Sequence, residues 1–91
     1  MRKYFVYILA SSKYGTLYVG VTGNLQNRMN LHISGKVKGF TQKYGVDRLV
    51  YYEEFENPET AILREKQLKR WKRFWKIELI EATNPDWEEL I

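Results

Sequence analysis

The chain of 91 residues contains no cysteine, a single histidine and no long apolar run. Without cysteine it cannot be a disulfide-stapled secreted scaffold, and it cannot hold a metal through thiolates. No apolar segment approaches the roughly 20 residues that a membrane-spanning helix needs. The short apolar stretch near the start is followed by no cleavage-type pattern of small residues, so we expect no signal peptide and a cytoplasmic location. A hydrophobic share of 44% indicates one small folded domain rather than a disordered chain.

The net charge of +4 is unevenly distributed along the chain. Residues 1–48 hold eight lysines and arginines against one acid, and residues 60–76 hold seven against one. Residues 77–91 hold five acids and no base. Clustered basic residues on a small domain indicate a polyanion partner, and nucleic acid fits better than a membrane surface. A solvated helix face would give the same pattern.

Runs of β-branched and aromatic residues predict three strands, at about 4–9, 16–21 and 47–55. The turn between the first two strands is short, so they should form an antiparallel hairpin. The segment 34–44, with two glycines and three lysines, is interpreted as a basic loop.

Capping residues predict where the helices begin. Asn24 should begin a helix that ends near Ile33, and Asn57 followed by Pro58 should begin a second. The second helix should end near Trp71, and a third should cover about 73–82 before the acidic tail. The order strand-strand-helix-strand-helix-helix indicates a small α+β domain, a three-stranded antiparallel sheet flanked by helices.

The second predicted helix places an acid on its apolar stripe. At 100° per residue, Ala61, Glu65 and Leu68 share one side, with Ile62 beside them. Burying a lone carboxylate costs several kcal/mol, so Glu65 should face a cation, a hydrogen-bond network or a metal. The alternative is a surface pair with Lys69 at i+4, worth only about 0.3–0.5 kcal/mol.

The first helix carries Arg28 and His32 on the side of its inner residues, Leu25 and Met29. A single histidine on an apolar stripe is often a hydrogen-bonded core residue. The neighbouring Arg28 favours a site, because arginine fills cores poorly and binds phosphate well.

The hairpin adds two tyrosines, Tyr7 and Tyr18, each in the middle of a predicted strand. Cross-strand packing alone would explain them. Together with Arg28, His32 and Glu65, they form a set that suits metal-assisted phosphodiester hydrolysis.

The segments Val6-Tyr7-Ile8 and Tyr18-Val19-Gly20 resemble the signature of the GIY-YIG nuclease family. Arg28, His32 and Glu65 follow in the family's order, and the resemblance covers about residues 4–80. It is closest to small, single-domain bacterial members. Val6 departs from the glycine of the name-giving motif. Asn84 is the only candidate for the family's late asparagine, and it also suits a structural cap in the exit turn.

The resemblance implies an endonuclease domain over 1–83 followed by an acidic tail, 84–91. It implies one Mg²⁺ or Mn²⁺ ion held by Glu65 and a phosphate clamp formed by Arg28. Tyr7 is then the first candidate for the general base, and Tyr18 would orient the water or the phosphate. His32 would act as a relay or would itself be the base.

Substrate binding should come from lysines and arginines that contact phosphates without reading bases. The candidates are Lys36, Lys38, Lys43, Lys69, Arg70, Lys72, Arg73 and Lys76. We expect a monomer or weak dimer that favours DNA over RNA, has little sequence preference, and acts in DNA repair or on unusual DNA structures. Two alternatives are a nucleic-acid-binding module with lost or partner-dependent activity, and a protein-interaction domain that uses the tail around Trp87.

The paired tryptophans of the basic stretch, Trp71 and Trp75, are four residues apart. We expect them to pack against Leu68 and Leu79, with stacking on bases as the alternative.

Overall fold

A computed structural model describes residues 2–34 and 43–91. The elements in chain order are β1 (Tyr4–Ala10), β2 (Leu17–Thr22), α1 (Leu25–Ile33), β3 (Arg48–Phe55), α2 (Pro58–Arg70) and α3 (Arg73–Thr83). This order confirms the predicted α+β class. Most of the predicted basic loop, including Lys36 and Lys38, lies outside the described residues. Within the described part, no helix is long and apolar enough to cross a membrane.

The three strands form one antiparallel sheet in the order β2-β1-β3. The predicted hairpin is confirmed, and its register places Tyr7 opposite Gly20. On the other side of β1, Ile8 pairs with Tyr51 whereas Leu9 pairs with Leu49, so one residue of β3 is bulged. The central position of β1 leaves β2 and β3 as the two edge strands.

Side-chain caps begin the first two helices as predicted. The Asn24 side chain accepts a hydrogen bond from the Asn27 backbone N–H at 3.0 Å. The Asn57 side chain accepts from the backbone N–H groups of Glu59 and Thr60 at 2.8 and 3.3 Å. Because the first N–H groups of a helix have no partner within the helix, these side chains satisfy them and fix where the chain turns.

The alternation of side chains along β1 divides the core into two clusters, one on each face of the sheet. On the α2–α3 face, Val6, Ile8 and Ala10 pack with residues of both later helices and with Trp87. On the α1 face, Tyr7 and Leu9 pack with Leu25, Met29, Val46 and Leu49. The sheet is therefore covered by a helical layer on each side.

The last eight residues pack on the outer edge of β3. The buried Asn84 side chain donates to the carbonyl of Val50, the bulged residue, at 3.0 Å, and the Leu90 N–H donates to the Leu49 carbonyl at 2.9 Å. Trp87 is fully buried, and its ring meets that of Tyr14 at 5.3 Å between centroids. Asn84 thus caps the end of α3 and satisfies part of an edge strand. Within the described residues, no ion pair joins a carboxylate side chain of this segment to a basic side chain.

Candidate active site

Three rings converge on the α1 face of the hairpin. The ring centroids of Tyr7 and Tyr18 are 6.3 Å apart, and the His32 ring lies 6.1 Å from the first and 5.9 Å from the second. The Tyr7 hydroxyl is 3.5 Å from Nε2 of His32. The hairpin register places Tyr7 of β1 and Tyr18 of β2 close together on adjacent strands, and α1 places His32 over them. Three of the five predicted site residues are therefore in contact.

A glycine makes room for the Tyr7 ring. A Cβ atom on Gly20 would lie 2.4 Å from both Oη and Cζ of Tyr7, closer than carbon and oxygen atoms approach without a bond. Sequence reasoning quoted Gly20 only as part of a motif and missed this role. The signal that could have found it is the strand register, because a glycine directly opposite a large aromatic residue indicates a close approach.

The pKa of Tyr7 depends on burial and also on the charges of two other predicted site residues, Arg28 and Glu65. Burial, with a smaller contribution from Tyr18, raises the pKa of the Tyr7 phenol to about 12. The positive charge of Arg28 lowers this pKa, and the negative charge of Glu65 raises it further. Both charges therefore lie within electrostatic range of the Tyr7 hydroxyl, although they belong to helices on opposite faces of the sheet.

The single histidine is buried, with 7% of its surface exposed. Burial lowers the pKa of His32, Arg28 lowers it further, and Asp47 acts in the opposite direction. His32 is consequently neutral at pH 7. A neutral imidazole has one nitrogen that can accept a proton, and the distance to the Tyr7 hydroxyl suits a hydrogen bond to Nε2.

The Glu65 carboxylate is both mostly buried and paired with a lysine, the two arrangements that the sequence analysis treated as alternatives. Its side chain is only 14% exposed, and it forms an ion pair with Lys69 at 2.9 Å. The neighbouring residues Ala61 and Leu68 are fully buried, as the apolar stripe predicts. Ile62, predicted to lie beside the stripe, is 41% exposed and is not among the buried residues. It lies 120° around the helix from Leu68 and points past the core.

The edge position of β2 explains how two helical layers reach one site. A groove of about 320 Å³ is lined by Leu17, Tyr18 and Val19 of β2 and by Lys69 and Lys76. Because β2 is the last strand on its side of the sheet among the described residues, side chains from α1 and from α2 can meet around it. Burial and the nearby Arg73 lower the pKa of Lys76. This groove adjoins the tyrosine cluster through Tyr18 and the carboxylate through Lys69.

The other predicted phosphate-binding residues differ in their surroundings. Lys69, Arg70 and Lys72 are exposed. The Arg73 guanidinium is also exposed, but it donates to the backbone carbonyls of Tyr14 and Gly15 at 2.6 Å. It therefore ties α3 to the hairpin turn. Lys43 is exposed and lies 5.4 Å from the centre of the Tyr44 ring.

The donor set around Glu65 suits a weakly held hard cation. Among the described residues there is no cluster of three or more histidine, aspartate or glutamate side chains. A single carboxylate fits Mg²⁺ or Mn²⁺ better than zinc, because Mg²⁺ keeps several waters and takes further ligands from a phosphate substrate.

The residue that departs from the family signature lies outside this site. Val6 is fully buried and packs on the α2–α3 face, opposite to Tyr7. A valine in place of glycine at this position therefore adds to the larger core and leaves the tyrosine cluster unchanged.

Comparisons with known proteins agree with this geometry. The GIY-YIG catalytic domain family matches residues 3–78. A UPF0213 protein from Oceanobacillus iheyensis is 35% identical over 79 residues, which cover 87% of this chain and 91% of the relative. Another, from Clostridium perfringens, is 40% identical over 78 residues and covers 86% and 83%.

A solved structure shares the fold. The solution NMR structure of a UPF0213 protein from Bacillus halodurans superposes with a TM-score of 0.59 at 32% identity, over 96% of this chain and 92% of that one. The match over most of the chain, in both sequence and fold, shows that this protein belongs to the GIY-YIG family of nucleases, among its small UPF0213 relatives.

Proposed function

We propose that the protein is a divalent-metal-dependent endonuclease that hydrolyses phosphodiester bonds in DNA with little sequence preference. The observation that carries the proposal is the contact between the Tyr7 hydroxyl and His32, together with the charges of Arg28 and Glu65, which lie close enough to shift the pKa of Tyr7. The Arg28 guanidinium and the Glu65 carboxylate belong to different helices, and both shift the pKa of the buried Tyr7 phenol. This phenol also contacts the neutral imidazole of His32. A site of this composition can move a proton, bind a phosphate and hold a cation.

Glu65 would hold the Mg²⁺ or Mn²⁺ ion, since its carboxylate is the acid of the set. When bound, this ion supplies Lewis acidity that stabilises the charge developing on the phosphate and on the leaving oxygen. Lys69 is the ion-pair partner of Glu65, so a cation held by this carboxylate would replace the Lys69 ammonium there. Its ammonium group then faces the groove that it lines beside Tyr18.

The proton of the attacking water passes through the pair formed by Tyr7 and His32. A phenol with a pKa of about 12 is a poor base on its own at pH 7. If the Tyr7 O–H donates its proton to Nε2 of His32 while its oxygen takes one from the water, no free phenolate forms. The lowered pKa of His32 keeps the acceptor nitrogen unprotonated at neutral pH. His32 is thus the final proton acceptor and Tyr7 the relay, the second of the two arrangements that the sequence left open.

Arg28 and Tyr18 position the phosphate. Arg28 is half-buried on α1 and, among the described residues, forms no ion pair with a carboxylate. Its guanidinium can donate two parallel hydrogen bonds to the non-bridging oxygens. Tyr18 is half-buried and lines the open groove, whereas Tyr7 is fully buried, so Tyr18 is the tyrosine that we expect to contact the substrate directly.

Binding of the DNA depends on the exposed lysines and arginines of α2 and α3. These side chains contact phosphates and read no bases, which supports a weak binder with little sequence preference. The family resemblance favours DNA over RNA, and a setting in DNA repair or in the processing of unusual DNA structures.

Cleavage of DNA by matched glutamate variants tests the proposal. Supercoiled plasmid and a branched DNA are incubated at low salt with Mg²⁺ or Mn²⁺ and with wild-type protein, Glu65→Gln or Glu59→Gln. Glu59 is exposed on the same helix and serves as the control. We expect Glu65→Gln to lose at least about 100-fold in rate, the range seen when a charge-stabilising group is removed, and Glu59→Gln to match the wild type.

Two outcomes contradict the proposal in different ways. A folded wild-type protein that binds DNA without cutting it is a binding module. Equal cleavage by wild type and Glu65→Gln places the chemistry elsewhere. A matched RNA duplex, cut as fast as the DNA, would overturn the preference for DNA.

A further inference from the structure

Two tryptophans at the junction of α2 and α3 correct the sequence prediction for this region. Trp71 is half-buried against the larger core, as expected, but Trp75 is 48% exposed. The two indoles meet edge to face, with centroids 6.1 Å apart. Trp75 lines one groove together with Leu63, which is 66% exposed, and adjacent exposed apolar side chains mark an interaction surface more than a single exposed ring does.

The two indoles form the shared wall of two adjacent grooves. The first, of about 430 Å³, is lined by Leu63, Lys66, Gln67, Arg70, Trp71 and Trp75, and we call it the Trp75 groove. The second, of about 320 Å³, continues past the same two rings to Glu78 and Leu79. The surface is therefore an open aromatic channel rather than an isolated exposed side chain.

Positive charge surrounds this channel. Lys66 and Arg70 line it. The Lys72 ammonium lies 5.9 Å from the centre of the Trp75 ring. The Arg64 guanidinium, 5.2 Å from that of Trp71, is paired with Glu53 at 2.8 Å and adds little net charge. Glu78 is the single acid that lines either groove. Flat aromatic faces among cations fit a ligand that has both flat apolar faces and regularly spaced negative charge.

We infer that the Trp75 groove binds single-stranded nucleic acid, with a base stacked on Trp75 and phosphates held by Lys66 and Arg70. Base stacking on aromatic side chains combined with cations along the backbone is the general mode of single-strand binding. A duplex hides its base faces, and so cannot use the indole. An acidic peptide satisfies the charges but offers no planar group to match the indoles.

The groove lies on the side of α2 away from the proposed active site. Gln67 lines it and is two residues from Glu65, which places the two side chains about 200° apart around the helix. The consecutive residues Lys69 and Arg70 line the groove beside Tyr18 and the Trp75 groove respectively. A strand can thus cross α2 from one groove to the other. This inference rests on the proposed function for the identity of the ligand, and it adds a substrate class: a duplex joined to a single-stranded segment.

Binding measured without metal separates this inference from cleavage. A labelled oligothymidylate of about 12 nucleotides, within the usual range of single-strand site sizes, is titrated in EDTA while anisotropy and tryptophan fluorescence are recorded. We expect Trp75→Ala to weaken binding about tenfold and Trp75→Phe to recover most of it, since a ring is retained. Phe74→Ala is the matched control, because Phe74 is 65% exposed and lines neither groove.

A second titration tests whether the protein prefers a duplex that is joined to a single-stranded segment. A duplex with a single-stranded extension should bind more tightly than a blunt duplex of equal charge, and Trp75→Ala should remove the difference. Both titrations are made in EDTA and need no cleavage, so a failed nuclease assay leaves this result intact. Unchanged binding by Trp75→Ala, or an equal loss in Phe74→Ala, overturns the inference. So does a glutamate peptide of matched length that binds as tightly as the oligonucleotide, which would assign the groove to an acidic protein.

Discussion

The two faces of the sheet use buried aromatic residues for different purposes. Among the described residues, the hydrophobic cluster on the α2–α3 face has ten buried members, and its largest ring, Trp87, packs against the hairpin turn. The cluster on the α1 face has six, besides the buried His32, and its largest ring, Tyr7, carries a hydroxyl in contact with His32. Alternate side chains of the central strand, β1, point into the two clusters. The larger cluster can therefore supply most of the stability, while the smaller one tolerates polar groups that move protons.

Removing Trp87 should have the largest effect on stability. Trp87→Ala empties a fully buried site on the α2–α3 face, and truncation of a buried tryptophan costs about 3–5 kcal/mol. Urea denaturation followed by circular dichroism measures the loss. Trp75→Ala, at a half-exposed position, is the control and should cost less than about 1 kcal/mol. Equal losses would mean that residues 84–91 do not anchor the fold.

An added methyl group at Gly20 should affect the α1 face next most strongly. Gly20→Ala places Cβ 2.4 Å from the Tyr7 ring, and overpacking of this kind costs about 1–3 kcal/mol. Tyr7 must then move away from His32, so DNA cleavage should fall together with stability. Gly23→Ala is the matched control, because its Cβ would meet nothing closer than 3.7 Å. A Gly20→Ala variant with wild-type stability and cleavage would contradict the close approach.

Local sequence patterns predicted the elements, while long-range pairing decided where the site lies. Asn24, Asn57 and Pro58 act within one helical turn, so their effect could be read directly from the sequence. Nothing local indicates that β3 pairs with β1 and leaves β2 at an edge. That pairing leaves β2 at the edge, so the charge of Glu65 lies within electrostatic range of Tyr7 from the opposite layer.

The exposed position of Trp75 shows where periodicity misleads. Residues four apart share a face only within one continuous helix. Trp71 instead ends α2 with extended backbone angles, φ −64° and ψ 145°, and α3 begins afresh at Arg73. The two tryptophans therefore belong to different elements, and only the first packs against the larger core.

The dependence of the free energy of unfolding on pH should reflect the protonation of His32, which is buried on the α1 face. The pKa of His32 is lowered on folding from its usual 6.5, so the unfolded chain binds this proton more readily. The contribution of neutral His32 to the free energy of unfolding is complete above about pH 6.5. It is lost as the pH falls toward the lowered pKa of the folded protein, with a slope of at most about 1.4 kcal/mol per pH unit.

Denaturation of the wild type and of His32→Leu between pH 5 and 8 measures this slope. The difference between the two proteins should be flat above pH 6.5 and should shrink below it. DNA cleavage should fall over the same range, because a protonated His32 cannot accept a proton from Tyr7. A difference that stays constant with pH would mean that His32 is not buried in its neutral form.

The smallest expected effect on stability distinguishes two lysine–glutamate pairs that look alike. Lys69 with Glu65 and Lys3 with Glu54 are both ion pairs of an exposed lysine, at 2.9 and 3.0 Å. Lys3→Gln should cost about 0.3–0.5 kcal/mol or less, the usual worth of an exposed pair, and Lys69→Gln should cost somewhat more, because the Glu65 side chain is only 14% exposed and loses its partner. Only Lys69 lines the groove beside Tyr18. Its loss should therefore lower the slope of log affinity for DNA against log salt by about 1, while Lys3→Gln leaves the slope unchanged. Equal slopes in the two variants would remove Lys69 from the DNA path, and a slope near zero in the wild type would remove phosphate contacts as the basis of binding.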